Sequence, residues 1–141
     1  MEAIVPKSIM FDGVRDIIFI NLAFKIKKKM AKELISFDDF QKVDIRVGTI
    51  IEVNDFIKAR VPAYQVKIDF GTLGIKRSSA QITQLYAKEE LLDKQVIAII
   101  NFKPKQIANF KSECLILGIQ NEEDVVLLHM HKNAKNGTKV S

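Results

Sequence analysis

The chain has 141 residues, enough for one domain whose hydrophobic core needs neither metals nor disulfides for support. Its formal net charge of +5 is moderately basic, which excludes a protein that binds nucleic acid over a whole cationic face and leaves room only for a local patch. Cys114 is the only cysteine. This excludes an internal disulfide framework and indicates a reducing, cytoplasmic setting.

The first 35 residues do not share the pattern of the remainder. Residues 17–26 are strongly apolar, but their uninterrupted part is shorter than the roughly 20 apolar residues that span a bilayer, and three lysines follow at once. A signal peptide carries its positive charge before the apolar run, so the order is wrong for one. We expect residues 1–35 to be an N-terminal extension. It is either a peripheral arm or amphipathic surface helix, or sequence upstream of a true start at Met30, and we favour the second alternative.

Residues 36–141 carry a regular pattern and are expected to form one domain. Serine and aspartate at 36–39 favour a short helical turn. Alternation of apolar and polar residues predicts two strands, and Gly48 inside the first of them predicts a bulge or sharp bend. Gly71 and Gly74 flank a tight connection and predict a hairpin into a third strand. A threonine cap and inward-facing leucines then predict a short helix over 83–92. The three predicted strands are 43–53, 64–70 and 75–80.

Two continuous apolar runs, 96–100 and 114–117, predict strands buried on both faces, and residues 125–130 predict one more before a polar tail. Three strands, a short helix and two further strands follow the order of a five-stranded Greek-key barrel. We therefore predict an all-β, mainly β protein with the OB-fold architecture. It would have one short helix between strands 3 and 4 and an extra C-terminal strand.

A polar, basic and aromatic segment lies between the two apolar runs, at 101–113. Pro104 excludes a helix through its start. Lysine suits phosphate, phenylalanine can stack on bases, and an amide can reach a sugar or a base edge, so this segment is a candidate nucleic-acid contact. The alternative is a solvated loop whose phenylalanines turn into the core. The candidate residues are Asn101, Lys103, Lys105 and Lys111, with the aromatic residues Phe102 and Phe110.

The sequence offers little for catalysis or metal binding. The only histidines, His129 and His131, have no second cysteine or nearby carboxylate to complete a metal site. Ser78 and Ser79 lack plausible triad partners, and no glycine-rich phosphate loop of either common type occurs. We therefore expect no enzyme, no cofactor and no metal site.

Four segments, in order along the chain, resemble the successive signatures of the tRNA-binding domain family. That family appends an OB-fold to some aminoacyl-tRNA synthetases and also occurs alone. More narrowly, residues 58–63 and 78–83 resemble the free-standing CsaA-type proteins, described as secretion-associated chaperones. The resemblance covers residues 37–140, and several weak segments in the right order make a strong signal. The four segments are DIRVGTI (44–50), IDFG (68–71), residues 94–104 and FKSE (110–113).

The resemblance implies that one side of the barrel faces tRNA, and it adds residues on and after the third strand to the candidate set. For Arg46, contact with RNA and pairing with Asp44 or Glu113 both stay open. Glu113 would accept hydrogen bonds either from a base or ribose hydroxyl or from backbone amides of a neighbouring loop, and we favour the second. Of the two phenylalanines, one is expected in the core. The expected RNA-binding set is Arg46, Ser78, Gln81, Asn101, Lys103, Lys105, Lys111, Ser112 and Glu113.

The first-ranked function is a non-catalytic protein that binds structured RNA, above all tRNA, through the basic turn, with an affinity that falls as salt rises. One alternative is a CsaA-type chaperone that binds unfolded or precursor polypeptides for export in an apolar groove lined by Phe, Tyr64 and Ile side chains. Another is a tRNA-binding subunit that serves in trans for a synthetase such as methionyl-tRNA synthetase. The resemblance also implies a homodimer, in which the strand at 125–130 covers an exposed barrel edge. We expect a cytoplasmic protein with no membrane span.

Overall fold

The computed structural model describes residues 16–23 and 31–141. Residues 38–141 form one compact unit, and the residues before them belong to a separate unit. In that first unit, residues 16–23 are helical and most of their side chains are exposed. The expected start at Met30 falls outside the described residues. No helix within the described ranges is long and apolar enough to cross a membrane.

Short strands dominate residues 31–141. Five antiparallel strands form the main sheet in the order β3-β2-β1-β4-β7, and β5–β6 and β8–β9 form two separate hairpins. The sheet closes almost completely into a barrel, which confirms the predicted OB-fold architecture. The elements are α1 (Phe37–Gln41), β1 (Ile45–Asp55), β2 (Tyr64–Asp69), a 3-10 turn (Gly71–Leu73), β3 (Ile75–Ala80), α2 (Lys88–Leu91), β4 (Gln95–Ile99), β5 (Lys105–Ile107), β6 (Phe110–Ser112), β7 (Leu115–Ile116), β8 (Gly118–Asn121) and β9 (Asp124–Leu127).

β1 is long enough to pair with two neighbours. Its first half, from Ile45 to Thr49, pairs with β4, and its second half pairs with β2. The register shifts between Ile50 and Glu52, so a bulge at Gly48, one of the two predicted alternatives, was wrong in its position. Gly48 is needed for a different reason, because a Cβ there would lie only 2.5 Å from Cγ2 of Ile68. Glycine lets a core side chain pack directly on the strand.

The core fills the inner face of the barrel with alternate residues of its strands. In β2 every second residue is buried, and in β4 Val96 and Ala98 are buried while Ile97 and Ile99 are only half-buried. Leu115 in β7 is 48% exposed. The prediction that both apolar runs are buried on two faces was therefore wrong, because a barrel strand has one inner and one outer face. The largest fully buried residues are Phe70, Ile50, Ile68, Val66, Val96 and Ser78.

A second, smaller cluster joins the loop between β1 and β2 to the β5–β6 hairpin. Phe56 and Ala63 from the loop are buried against Phe110, and the centroids of the two phenylalanine rings lie 5.3 Å apart. Phe110 is 6% exposed and Phe102 is 53% exposed. Phe110 is therefore the core residue of the pair that the sequence could not separate. The hairpin itself was not predicted.

The polar tail after β9 is bound along the first half of β1. The Val47 amide donates to the Thr138 carbonyl at 3.1 Å, the Gly137 amide donates to the Val47 carbonyl at 2.7 Å, and the Val140 amide donates to the Ile45 carbonyl at 2.9 Å. The tail thus provides hydrogen-bond partners for backbone groups in the first half of β1, which does not pair with β2. Sequence patterning gave no indication of this, because the tail contains few apolar residues.

The predicted elements agree with the structure to different degrees. The third strand has the predicted bounds, Ile75–Ala80, whereas the first is displaced by two residues toward the C terminus. The helix predicted over 83–92 was too long, because only Lys88–Leu91 is helical and the amide of Ala87 donates to Oε1 of Glu90 at its start. The extra C-terminal strand is present as Asp124–Leu127, and its partner β8 was not predicted.

Candidate nucleic-acid interface

The barrel closes between β3 and the residues that end β6. The Glu113 amide donates to the Arg77 carbonyl at 2.7 Å, and the Arg77 amide donates to Oε2 of Glu113 at 2.9 Å. The Ser79 amide donates to Oγ of Ser112 at 3.1 Å. The Ser112 and Glu113 side chains therefore occupy part of the outer edge of β3 in place of a neighbouring strand. This geometry favours the backbone-binding alternative for Glu113.

Ser78 lies beneath this edge. It is 1% exposed, and its hydroxyl donates to the carbonyl of Cys114 at 2.9 Å. Burial raises the pKa of the Cys114 thiol to about 12, so that the thiol stays protonated at neutral pH. Ser78 supports the surface from the inside, and its hydroxyl is not accessible to a ligand in this structure.

The three lysines of the candidate segment are exposed on one feature, which we call the basic hairpin (residues 103–112). Lys103 precedes β5, Lys105 begins it, and Lys111 lies in β6. The hairpin turns at Ala108, whose φ of 50° is in the left-handed region. Phe102 stands at the entry to the hairpin. A cavity of about 420 Å³ is lined by Phe102, Lys103, Lys105, Ser112, Glu113, Cys114 and Leu115.

A second cavity of about 330 Å³ shares part of this wall and runs along the end of β3. Exposed Gln81 lies on its β3 side, with Lys105 and Ser112 on its hairpin side. Ile107 and Leu115 give the groove apolar surface. The structure thus brings five of the sequence-predicted residues to the walls of two adjoining cavities: Gln81, Lys103, Lys105, Ser112 and Glu113.

Asn101 and Arg46 make hydrogen bonds to other parts of the chain. Oδ1 of Asn101 accepts from the Asp44 amide at 2.9 Å, and its Nδ2 donates to the Lys42 carbonyl at 2.7 Å. Nε of Arg46 donates to Oδ1 of Asp44 at 2.6 Å, and its Nη1 donates to the Gly137 carbonyl at 3.0 Å. Of the open alternatives for Arg46, the structure therefore has the pairing with Asp44. Neither residue lines the two cavities beside the basic hairpin.

The sequence-based set omits three cations near the basic hairpin. Lys58 and Arg60 are exposed on the loop between β1 and β2, which packs on the hairpin through Phe56 and Phe110. The guanidinium carbon of Arg77 lies 5.2 Å from the centroid of the Phe110 ring. Loops between strands 1 and 2 and between strands 4 and 5 form the ligand-binding rim of OB-fold barrels. Lys58 and Arg60, two cations close together in the first of these loops, were the sequence signal that could have identified this part of the rim.

Residues 45–139 match the model of the family described as "Putative tRNA binding domain". Among curated proteins, a methionine–tRNA ligase of Pyrococcus horikoshii is 39% identical over 114 residues, which are 81% of this chain and 16% of that protein. This chain therefore spans about a sixth of the length of such relatives.

Two solved structures are similar over their whole length. The crystal structure of chaperone CsaA from Bacillus anthracis str. Ames is 48% identical with a TM-score of 0.73, and the match covers 77% of this chain and 100% of that chain. The crystal structure of the CsaA chaperone protein from Picrophilus torridus is 51% identical with the same TM-score and the same coverage. The barrel described above and these comparisons agree on one fold.

Proposed function

The chain belongs to the tRNA-binding domain family, and we propose that it binds tRNA without catalysing a reaction. The observation that carries the proposal is the basic hairpin, which exposes Lys103, Lys105 and Lys111 and places the first two on the walls of two adjoining cavities. Exposed lysines suit the phosphates of a folded RNA, which proteins recognise mainly by shape and backbone contacts.

The electrostatics of the described residues support a local site. Hydrogen bonds from Lys67 and Asn54 hold the pKa of Glu52 below its ordinary value. Lys67 is therefore already paired with the Glu52 carboxylate. Lys88 is likewise paired with Asp55 at 2.8 Å. The cations of the basic hairpin form none of the ion pairs found among the described residues. A modest net charge is therefore compatible with a site that attracts phosphate.

Within the site, the residues divide by role. Lys103, Lys105 and Lys111 contact phosphates, and Gln81 reaches a sugar or base edge across the groove. Ser112 and Glu113 hold the edge of β3 in place and also line the cavity beside Phe102. The anchoring residues are Arg46, Ser78 and Asn101, which position the surface without touching the ligand.

A second candidate function is the binding of unfolded polypeptide. The groove beside β3 has apolar walls that include Ile107 and Leu115, and the two similar solved structures are those of proteins called chaperones. Tyr64, which we expected to line such a groove, is instead buried, and its hydroxyl donates to the Tyr86 carbonyl. We rank this function second because the lysines around the groove suit a polyanion better than a generic polypeptide.

The likeness to methionine–tRNA ligases supports a third arrangement, in which the chain supplies tRNA affinity in trans to a synthetase.

We also propose a homodimer in the cytoplasm. Exposed apolar residues on the β8–β9 hairpin, Ile119 and Val126, support a contact with a second copy. Two basic hairpins on one particle would raise the avidity for a single tRNA.

A tRNA titration of the full chain at low and moderate salt, with an unfolded polypeptide as competitor, tests the ranking. Binding that weakens with salt and that the polypeptide does not displace supports the RNA function. Binding of the polypeptide with no binding of tRNA would contradict it and favour the chaperone function.

A further inference from the structure

Phe102 is an exposed aromatic residue on a well-anchored backbone. The preceding residue, Asn101, makes two hydrogen bonds to the segment before β1, and the basic hairpin begins directly after Phe102. The chain is therefore anchored directly before Phe102, and the ring is 53% exposed. A rigid, accessible aromatic face is a platform on which another flat ring can stack.

The cavity that Phe102 lines has three kinds of wall. Lys103 and Lys105 supply positive charge, Leu115 and the protonated thiol of Cys114 supply apolar surface, and Ser112 and Glu113 supply hydrogen-bonding groups. Its volume of about 420 Å³ lies within the usual range for sites that bind small molecules or single groups. We call it the Phe102 pocket.

The negative charge of Glu113 determines which part of a nucleic acid can bind in the Phe102 pocket. Its carboxylate is fixed by the Arg77 amide at 2.9 Å, and its negative charge repels phosphate. The same carboxylate accepts hydrogen bonds from the amino and imino groups of an uncharged base. Phosphates therefore favour the lysine side of the pocket, and a base favours the side formed by Phe102, Ser112 and Glu113.

We propose that the Phe102 pocket takes one unpaired nucleobase of the bound RNA, stacked on the Phe102 ring, with its flanking phosphates against Lys103 and Lys105. The proposal rests on the proposed RNA-binding function and deepens it. The preferred ligand is then an RNA with an accessible unpaired nucleotide rather than a continuous duplex, because a base inside a helix cannot reach the ring.

Tryptophan fluorescence offers a direct test, since the chain contains no tryptophan. Phe102→Trp places a single reporter in the pocket, and Leu92→Trp places a control on an exposed site that lines none of the cavities described above. The titrants are a single-stranded oligoribonucleotide of about 10 nucleotides, within the usual site size of an OB-fold, and the same oligonucleotide in a duplex. We expect quenching of Phe102→Trp by the single strand, little quenching by the duplex, and no change in the control.

Affinity provides the second readout. Phe102→Ala should weaken binding of the single strand about 5- to 150-fold, the range that corresponds to the loss of one base–aromatic stack, while Phe102→Tyr should restore it. If the wild type and Phe102→Ala bind the single strand equally well and tRNA affinity is intact, the proposed base-binding role of the Phe102 pocket is contradicted. The proposed tRNA binding would not be affected. Quenching of Phe102→Trp by an unfolded polypeptide and not by RNA would overturn it in favour of a peptide ligand. Failure of the wild-type protein to bind any tRNA would remove the underlying function itself.

Discussion

Arg77 and Glu113 exchange two hydrogen bonds across the closing seam of the barrel, one between backbone groups at 2.7 Å and one from the Arg77 amide to the Glu113 carboxylate at 2.9 Å. The guanidinium of Arg77 is also 3.8 Å from the same carboxylate. A side chain thus does the work of a ladder hydrogen bond at the edge of β3. These contacts join Glu113, which directly follows the basic hairpin, to strand β3 of the barrel.

Glu113→Ala should destabilise the protein by about 1–3 kcal/mol, because it leaves the Arg77 amide without its acceptor in a partly buried place. Glu113→Gln keeps an acceptor oxygen and should cost clearly less. Urea unfolding of the two variants beside the wild type measures the difference. Equal stability of Glu113→Ala and the wild type would mean that water replaces the carboxylate at no cost.

Gly137 and Gly74 form a matched pair for testing the bound C-terminal tail. Both have a φ of 87°, but a Cβ at Gly137 would lie 2.5 Å from the Phe70 carbonyl oxygen, whereas a Cβ at Gly74 would have no neighbour within 4 Å. Gly74→Ala should therefore show only the backbone cost, about 1–3 kcal/mol for a residue with a φ of 87° and a ψ of −174°. Gly137→Ala should cost more and should speed hydrogen exchange at the Val47 amide, which donates to Thr138. Similar losses in both variants would show that the contact with Phe70 contributes nothing.

Phe110 and Phe102 should respond in opposite ways to truncation. Phe110→Ala removes a buried ring from its contact with Phe56 and should destabilise the protein by about 3 kcal/mol. The loop between β1 and β2 should then be cut faster by proteases, since its packing against the hairpin is lost. Phe102→Ala should change the free energy of unfolding little, because the ring is largely exposed. A large loss of stability in Phe102→Ala would mean that the ring is covered in solution.

Cys114 should make folding depend on alkaline pH. Burial raises the pKa of its thiol from 9.0 to about 12, so that between these values the unfolded chain releases a proton that the folded chain retains. This contribution to stability is fully present below pH 9 and is lost as the pH rises toward 12, by at most about 1.4 kcal/mol per pH unit. Comparing Cys114→Ala with the wild type over this range isolates the effect from other titrating groups. Parallel pH profiles would contradict it.

The same pKa predicts slow alkylation of the folded protein. Thiol reagents attack the thiolate, so iodoacetamide at neutral pH should modify Cys114 much more slowly in buffer than in denaturing urea. Rapid modification of the native protein would show that the thiol is accessible and ionised.

The alternating strands were the predictable part of the fold. In β2, alternation between inner and outer faces leaves a direct record in the sequence. The bounds of β3 were predicted correctly from the glycines that precede it. The β5–β6 hairpin leaves no such record, because each strand has three residues and most of them are polar. Its stability depends on the distant contact of Phe110 with Phe56, which no local pattern contains.

The candidate site was predictable only as a set of residue types. Lysine at 103, 105 and 111 indicated a basic surface, and the structure exposes all three. Some of the predicted polar residues bind other parts of the chain. Which ones do so depends on partners that are distant in sequence. Arg46 contacts Gly137, Asn101 contacts Lys42, and Ser78 contacts Cys114, and none of these pairings follows from sequence spacing.

The most direct test of tRNA binding by the basic hairpin compares two charge-matched double variants. Lys103→Ala with Lys105→Ala removes two cations from the proposed site, and Lys132→Ala with Lys135→Ala removes two exposed cations from the segment after β9. Titration of tRNA at several salt concentrations should show weaker binding by the first variant and a slope against log salt that is shallower by about one to two. The second variant should bind like the wild type. Equal affinity and equal salt dependence in the two variants would contradict the placement of the tRNA site on the basic hairpin.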